Sequence, residues 1–256
     1  MKREERLEGI VNLLVERRTV GLDDLATRFA VSKMTIHRDL DELEQAGVLR
    51  KVRGGATIDA GTQFESDFRI RERQDLGAKQ AITQAALELV EPGMTVMVND
   101  GSMAAVLGEA LATKRPLTVI TNNAAVVERL KGEHGITLIA LGGVYSTKFN
   151  AFFGVVTEET LARLRADIGF ISTPGVAAGK AYHMDDNVVR TKRAMMASST
   201  RNCLLVNHER IGKTALHVLA GLREFDAVIT DHQPDPTALA EIEETGITLT
   251  IASSGG

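Results

Sequence analysis

The chain has no tryptophan and one cysteine in 256 residues, and its aromatic residues make up only 4%. A single cysteine excludes an internal disulfide framework and suits a reducing compartment. Cys203 lies beside Leu204 and Leu205 and reads as a small buried apolar residue. Scarce aromatic rings argue against a surface on which single-stranded bases stack. No apolar run approaches the roughly 18 residues that suggest a membrane span. The start is charged from Lys2 to Arg6, with no apolar signal-peptide core behind it. The expectation is a cytoplasmic protein without a membrane partner. A net charge of −4 does not advertise a nucleic-acid binder either, but its distribution does more. Residues 1–57 hold 11 Lys+Arg against 10 Asp+Glu, leaving 19 against 24 for the rest. Arg28, Lys33 and Arg38 share a window free of acids, as do Arg50, Lys51 and Arg53. Phosphate contacts are short-range at physiological salt, so such local clusters matter more than the total.

The first cluster falls on Val31-Ser32-Lys33-Met34-Thr35-Ile36-His37-Arg38-Asp39-Leu40. Ser32 is a good helix N-cap, because its hydroxyl can accept a first-turn backbone N–H. Ile36, Leu40 and Leu43 then form one helical face, leaving Met34 and Arg38 opposite and Lys33 and His37 on the flank. Such a helix start can enter a major groove with its first residues toward base edges. An ordinary amphipathic helix would show the same pattern, so the flanking residues decide.

Apolar spacing predicts a helix over about 2–16 and a second over 22–29, with Thr19-Val20 as a connecting extended piece. The third helix ends near Gly47. Val48–Val52 reads as a strand, Gly54-Gly55 as a tight turn and Ala56–Ile58 as the return. Three helices and a basic hairpin make a winged helix-turn-helix over residues 1–58, with Arg53 at the wing tip. Arg6, Ile10, Leu14, Ser32, Thr35, Ile36, His37, Arg38, Asp39 and Leu40, with Arg53-Gly54-Gly55-Ala56, resemble the N-terminal signature of DeoR-family bacterial transcriptional regulators. His37 stands where that family more often has Arg. Residues 59–75 lose apolar periodicity and read as a charged, partly helical linker, and Ser253–Gly256 as a frayed tail.

From Leu76 short Val/Ile/Leu-rich strands, at 95–99, 117–121, 137–141, 168–172, 203–207, 227–230 and 248–251, alternate with helices. The helices are expected at about 76–90, 103–113, 123–131, 155–165, 186–198, 212–221 and 236–245. That alternation implies an α/β domain over 76–252, a mostly parallel sheet covered on both faces. Ligands of such sheets bind at the carboxyl ends of the strands. There Asp100-Gly101-Ser102 leads into a helix, where free N–H groups, a positive dipole end and a hydroxyl suit an anion; a plain Ser102 cap is the competing reading. Thr121-Asn122-Asn123 repeats the arrangement, as hydroxyl-binding side chains or as another cap. Gly142-Gly143 allows close backbone approach to a ligand, or supplies positive φ. Lys192 either reaches a phosphate or is a solvated surface lysine, and Asp185-Asp186 reads as an acidic first helical turn. His183 and His208 show no metal-site spacing. No metal, no cofactor and no catalytic residue is expected.

These loops also resemble the C-terminal domain of the DeoR family. The resemblance implies that Asp100, Gly101, Ser102, Thr121, Asn122, Asn123, Gly142, Gly143 and Lys192 line a sugar-phosphate pocket. The implied fold is related to ribose-5-phosphate isomerase and glucosamine-6-phosphate deaminase. Asn207-His208-Glu209-Arg210-Ile211-Gly212 departs from the family's usual Asp-x-Ser-Lys-Phe-Gly, and Met103 from its Thr. The expectation is therefore a repressor of a sugar-catabolism operon. It would bind double-stranded operator DNA through Ser32, Lys33, Met34, Thr35, His37, Arg38 and Arg53, respond to a phosphorylated sugar, and act as a homodimer or homotetramer. The alternative is a sugar-phosphate isomerase or deaminase carrying a DNA-binding appendage. Such an enzyme needs a carboxylate base and an acid, for which Asp100 and Asp185-Asp186 are the only candidates.

Overall fold

The computed structural model describes residues 2–59 and 64–252. Ala60, Gly61 and Thr62 of the expected linker, and the tail 253–256, lie outside the described residues. The chain divides into two compact units, Met1–Gln74 and Asp75–Gly256.

The first unit holds α1 (Arg3–Arg17), β1 (Thr19–Gly21), α2 (Leu22–Phe29), α3 (Lys33–Gln45), β2 (Arg50–Val52), β3 (Gly55–Thr57) and α4 (Phe68–Arg73). Ser32 caps α3, its Oγ accepting the Thr35 N–H at 3.2 Å. The helix ends at Gln45 with Ala46 as C-cap, and Gly47 follows at φ +72°, a conformation that favours glycine. Val48 N–H then returns to Leu43 O at 2.9 Å, burying both side chains at the exit. Ile10, Leu14, Leu25, Ile36, Leu40 and Leu49 form the core between the helices and a small sheet ordered β1-β3-β2. Thr19–Gly21, expected only to connect, pairs antiparallel with β3 as a third strand. Gly55 makes that pairing possible: a Cβ there would lie 2.0 Å from Val20 O. The described part of the expected linker from Phe64 onward is also structured. Its helix α4 buries Ile70 in this same core, and Arg71 donates to Ser66 O at 2.8 Å, so this segment completes the first unit.

The second unit runs α5 (Leu76–Leu87), β4 (Thr95–Val98), α6 (Ser102–Ala110), β5 (Leu117–Thr121), α7 (Ala124–Leu130), β6 (Ile136–Ala140), β7 (Val144–Ser146), β8 (Ala151–Phe153) and α8 (Val155–Leu161). It continues with β9 (Ala166–Ser172), β10 (Gly175–Ala177), β11 (Lys180–His183), α9 (Asp186–Ala197), β12 (Ser199–Leu205), β13 (His217–Gly221), β14 (Ala227–Thr230), α10 (Pro236–Glu243) and β15 (Thr248–Ile251). Seven strands form one parallel sheet, ordered β15-β14-β12-β9-β4-β5-β6. Side chains alternate between its faces. Val96, Val98, Val119, Phe170, Cys203, Leu205 and Ile229 meet α5, α6 and α7 on one face. Met97, Ile120, Ile171, Leu204 and Val228 join the α8–α9 side on the other. The helix expected over 212–221 is absent: His217–Gly221 is a strand, β13, pairing with β11 in a second sheet ordered β10-β11-β13. A hairpin, β7–β8, was likewise not anticipated.

Candidate functional site

On α3 the start of the helix faces solvent. Ser32, Lys33, Met34, His37 and Arg38 are exposed, Thr35 is half-buried, and Met34 keeps 63% of its surface accessible. Arg53 is exposed in the turn between β2 and β3. Lys33 is not free of acids in space, because its ammonium meets Asp23 of α2 at 2.6 Å. The buried face of α3 carries, besides Ile36, Leu40 and Leu43, the carboxylate of Asp39. Arg6 of α1 grips it with two hydrogen bonds, Nε to Oδ2 at 2.6 Å and Nη2 to Oδ1 at 3.1 Å. Those bonds hold the Arg6 pKa above its ordinary value. This pair ties the exposed helix to α1.

In the large sheet, β9, β4, β5 and β6 are consecutive neighbours and all run the same way, so their carboxyl ends form one rim. At the end of β4, Gly101 has φ +104° and ψ 163°, a conformation that only glycine adopts without strain. It is the N-cap, and Ser102 is the first residue of α6 rather than its cap. Helix α9 packs its Val188, Val189, Met195 and Met196 face inward, and that face also carries Lys192. Lys192 is therefore 2% exposed, not a solvated surface lysine. Its Nζ donates to Ser172 O at 2.8 Å and stands 3.6 Å from Asp100 Oδ1. Asp100 is itself 2% exposed. A buried cation and a buried carboxylate thus meet at the N-terminus of a helix, whose first N–H groups have no intrahelical acceptor.

The neighbouring loops hold this arrangement. Asn123 caps α7 by accepting the Ala125 N–H at 3.0 Å, and its amide donates to Asn99 O and Gly101 O at 3.3 and 3.0 Å. Thr121 Oγ1 donates to Val98 O at 2.7 Å and accepts the Asn123 N–H at 3.0 Å. Both side chains brace the Asn99–Gly101 loop. Asn122 donates to Phe152 O at 2.9 Å, and its Oδ1 is buried with no partner among the described residues. Gly143, at φ +144°, is pressed against the protein: a Cβ would lie 2.5 Å from Phe153 O. A Cβ on Gly142 would meet open space, although its carbonyl accepts from Thr157 Oγ1 at 2.6 Å. Asn99 and Ser172, not singled out from sequence, bridge β4 to β9, with Ser172 N–H donating to Asn99 Oδ1 at 3.2 Å. Asp185 caps α9 by accepting the Val188 N–H at 3.1 Å, the acidic-turn role expected of that pair. A cleft of about 310 Å³ lined by Gly93, Pro116, Gly135 and Ile136 lies at the opposite, amino-terminal edge of these strands.

Further along the rim, the adjacent ends of β12 and β14 bring His208 to the consecutive pair Asp231-His232. Asp231, 7% exposed, accepts the His208 backbone N–H on Oδ1 at 2.7 Å. Its Oδ2 faces Nδ1 of His208 at 2.7 Å and Nδ1 of His232 at 2.8 Å. Burial alone would raise the Asp231 pKa; the hydrogen bonds from His208 and His232 outweigh it and hold the carboxyl below its usual range.

Comparison with known proteins bears on both units. A model of the DeoR-like helix-turn-helix domain matches residues 6–62, and one of the DeoR C terminal sensor domain matches residues 74–232. The glycerol-3-phosphate regulon repressor of Escherichia coli (strain K12) is 27% identical over 252 residues, 98% of this chain and 100% of that protein. The lactose phosphotransferase system repressor of Streptococcus mutans serotype c is 32% identical over 238 residues, 92% of this chain and 94% of that protein. Among solved structures, ribose 5-phosphate isomerase A from Methanocaldococcus jannaschii overlays 52% of each chain at 15% identity, with a TM-score of 0.39.

Proposed function

This chain belongs to the DeoR family of DNA-binding transcriptional regulators, not to a family of enzymes, and from that premise we propose that it represses a sugar-catabolic operon under control of a phosphorylated sugar. The Asp100–Lys192 pair is the observation that carries the reading. The two charges face each other at 3.6 Å. A phosphate at the start of α6 takes up the positive helix end and draws on the Lys192 ammonium. That leaves Asp100 to accept sugar hydroxyls. The ligand thus replaces one internal ion pair by contacts that bridge β4 and α9. A ligand switches a protein only when it interacts differently with two states, and this exchange supplies such a difference. Gly142, with open space before it, and the Ser102 hydroxyl complete the proposed pocket, while Thr121, Asn122 and Asn123 hold its shape. The names of the relatives, repressors of a glycerol-3-phosphate regulon and of a lactose phosphotransferase system, support a regulator of phosphorylated carbon sources.

On the DNA side, α3 enters the major groove from its N-terminus. Arg38 reads a base, His37 and Lys33 approach the backbone, and the exposed Met34 suits a thymine methyl. Arg53 reaches phosphate from the wing. One such helix reads few base pairs, so a homodimer or homotetramer engages paired half-sites in the cytoplasm. The test is a gel-shift titration on DNA from upstream of the chain's own gene, with a panel of sugar phosphates and the corresponding free sugars. At least one phosphate, and not its free sugar, should weaken the complex. Lys192→Met should bind DNA as wild type yet lose the response. A bound complex indifferent to the whole panel, or a Lys192→Met protein that still responds fully, overturns the reading.

A further inference from the structure

The His208–Asp231–His232 trio takes no part in the regulator function described above. Nothing in its sequence spacing announces it, because 23 residues separate His208 from Asp231. Parallel pairing of β12 with β14 brings the two arms side by side, with Leu205 opposite Ile229 and Val206 N–H donating to Ile229 O at 3.0 Å. Each chain then leaves its strand at the same level of the rim. The result is two imidazoles whose rings are 4.6 Å apart, both facing one carboxylate oxygen.

We propose that His208, Asp231 and His232 form a binding site for a divalent transition-metal ion of the Zn²⁺, Ni²⁺ or Co²⁺ class. Three features argue for it. First, the donor set is right: two imidazole nitrogens and one carboxylate, whose candidate donor atoms all lie within 4.8 Å of one another. Imidazole favours these borderline ions, whereas Mg²⁺ and Ca²⁺ seek oxygen-only cages. Second, the charge suits a cation: the Asp231 carboxylate is anionic, and an ion bound at the two Nδ1 atoms and Oδ2 leaves each ring its one N–H at Nε2, on the side away from the ion. Third, the carboxylate is pre-positioned. Asp231 Oδ1 is held by the His208 backbone N–H at 2.7 Å, which leaves Oδ2 as the liganding oxygen, with the outer support typical of metal-site carboxylates.

The fit requires only a small movement. Ligands about 2.0–2.2 Å from a tetrahedral ion stand roughly 3.3 Å apart. The nitrogens now sit 2.7 and 2.8 Å from Oδ2, so each must withdraw by about half an ångström to admit the ion. The rings can do so, because the His208 and His232 side chains are 41% and 68% exposed while Asp231 stays fixed at 3%. Three protein ligands leave a coordination position open to the rim, available to water or to an oxygen of a small molecule.

The experiment uses the full chain, freed of metal with a chelator, and two probes. Co²⁺ is titrated by visible absorption and Zn²⁺ by calorimetry. One ion should bind per chain and raise the melting temperature, since the site is assembled only in the folded protein. His232→Gln, an exposed position, should fold normally and weaken binding by about tenfold or more. Asp231→Asn should abolish binding. His217→Gln is the control, because His217 lies in β13 outside the trio, and should leave affinity unchanged. Absence of saturable binding, wild-type affinity in His232→Gln, or an equal loss in His217→Gln would each overturn the assignment.

Discussion

Breaking the Arg6–Asp39 pair should loosen α3, the helix we propose reads DNA, without touching any of the residues proposed to contact DNA. Arg6→Leu leaves the Asp39 carboxylate, 2% exposed, without its two guanidinium bonds. A hydrogen bond to a charged group is worth about 1.5–3 kcal/mol, and stranding one partner of a buried pair costs about 3–5 kcal/mol. Arg6 keeps 8% of its surface accessible against 2% for Asp39, so water can replace a small part of what is lost. The expected destabilisation is therefore about 2–4 kcal/mol. At roughly 0.05–0.15 kcal/mol per residue, a unit of this size has on the order of 4–11 kcal/mol to lose. Asp39→Leu alone should cost a similar amount, since it strands the guanidinium. The double variant should recover much of the loss, because two apolar side chains leave no uncompensated charge. The assay is hydrogen exchange, which isolates the first unit from the second. Amides of α1 and α3 should exchange faster in each single variant, with partial return in the double, while β4, β5 and β9 keep wild-type protection. A coupling energy below about 0.5 kcal/mol would place the pair on the scale of an exposed ion pair and refute the argument.

Two further outcomes follow from packing. Gly55→Ala puts a methyl 2.0 Å from Val20 O, so β1 must part from β3. A loss of about 1–3 kcal/mol in urea titration is expected, and an unchanged midpoint would show that the strand shifts freely. Cys203 is 2% exposed, and burial pushes its thiol pKa up to about 12. The native protein should therefore resist aromatic disulfide reagents near neutral pH and react promptly once unfolded; rapid labelling of the folded chain would contradict this.

The seven strands of the large sheet were legible because each carries a short apolar run between turn signals. The helix expected over 212–221 failed for a related reason. Ala215, Leu216, Leu219, Ala220 and Leu222 give helical spacing, yet β11 offers Ala181–His183 as pairing partners, and ladder formation overrides local preference. Lys192 was legible in principle. Val188, Val189, Met195 and Met196 stand three or four residues either side of it, so a lysine on that stripe belongs to the core face and needs an internal partner. The same logic applies to Arg6, four residues before buried Ile10, and to Asp39, three after buried Ile36. Opposite charges on the apolar stripes of two neighbouring helices pointed to each other. Taking polarity as exposure hides such pairs: it left a solvated surface lysine as one of the two readings of Lys192, and gave Arg6 and Asp39 no partner.

His208, Asp231 and His232 differ in kind from these. No stripe or spacing within either arm marks them, since His208 and His232 are ordinary exposed loop histidines by local pattern. What joins them is strand order: β12 beside β14, in parallel and in a register that ends both strands at one level. Helical periodicity is a property of a dozen consecutive residues, and so can be read from them. Sheet order and register depend on competition among all seven strands, and no stretch of sequence between residues 203 and 232 contains that competition. A buried charge on a helix can thus be inferred one element at a time. A site built across two parallel strand ends becomes visible only when the whole sheet is assembled.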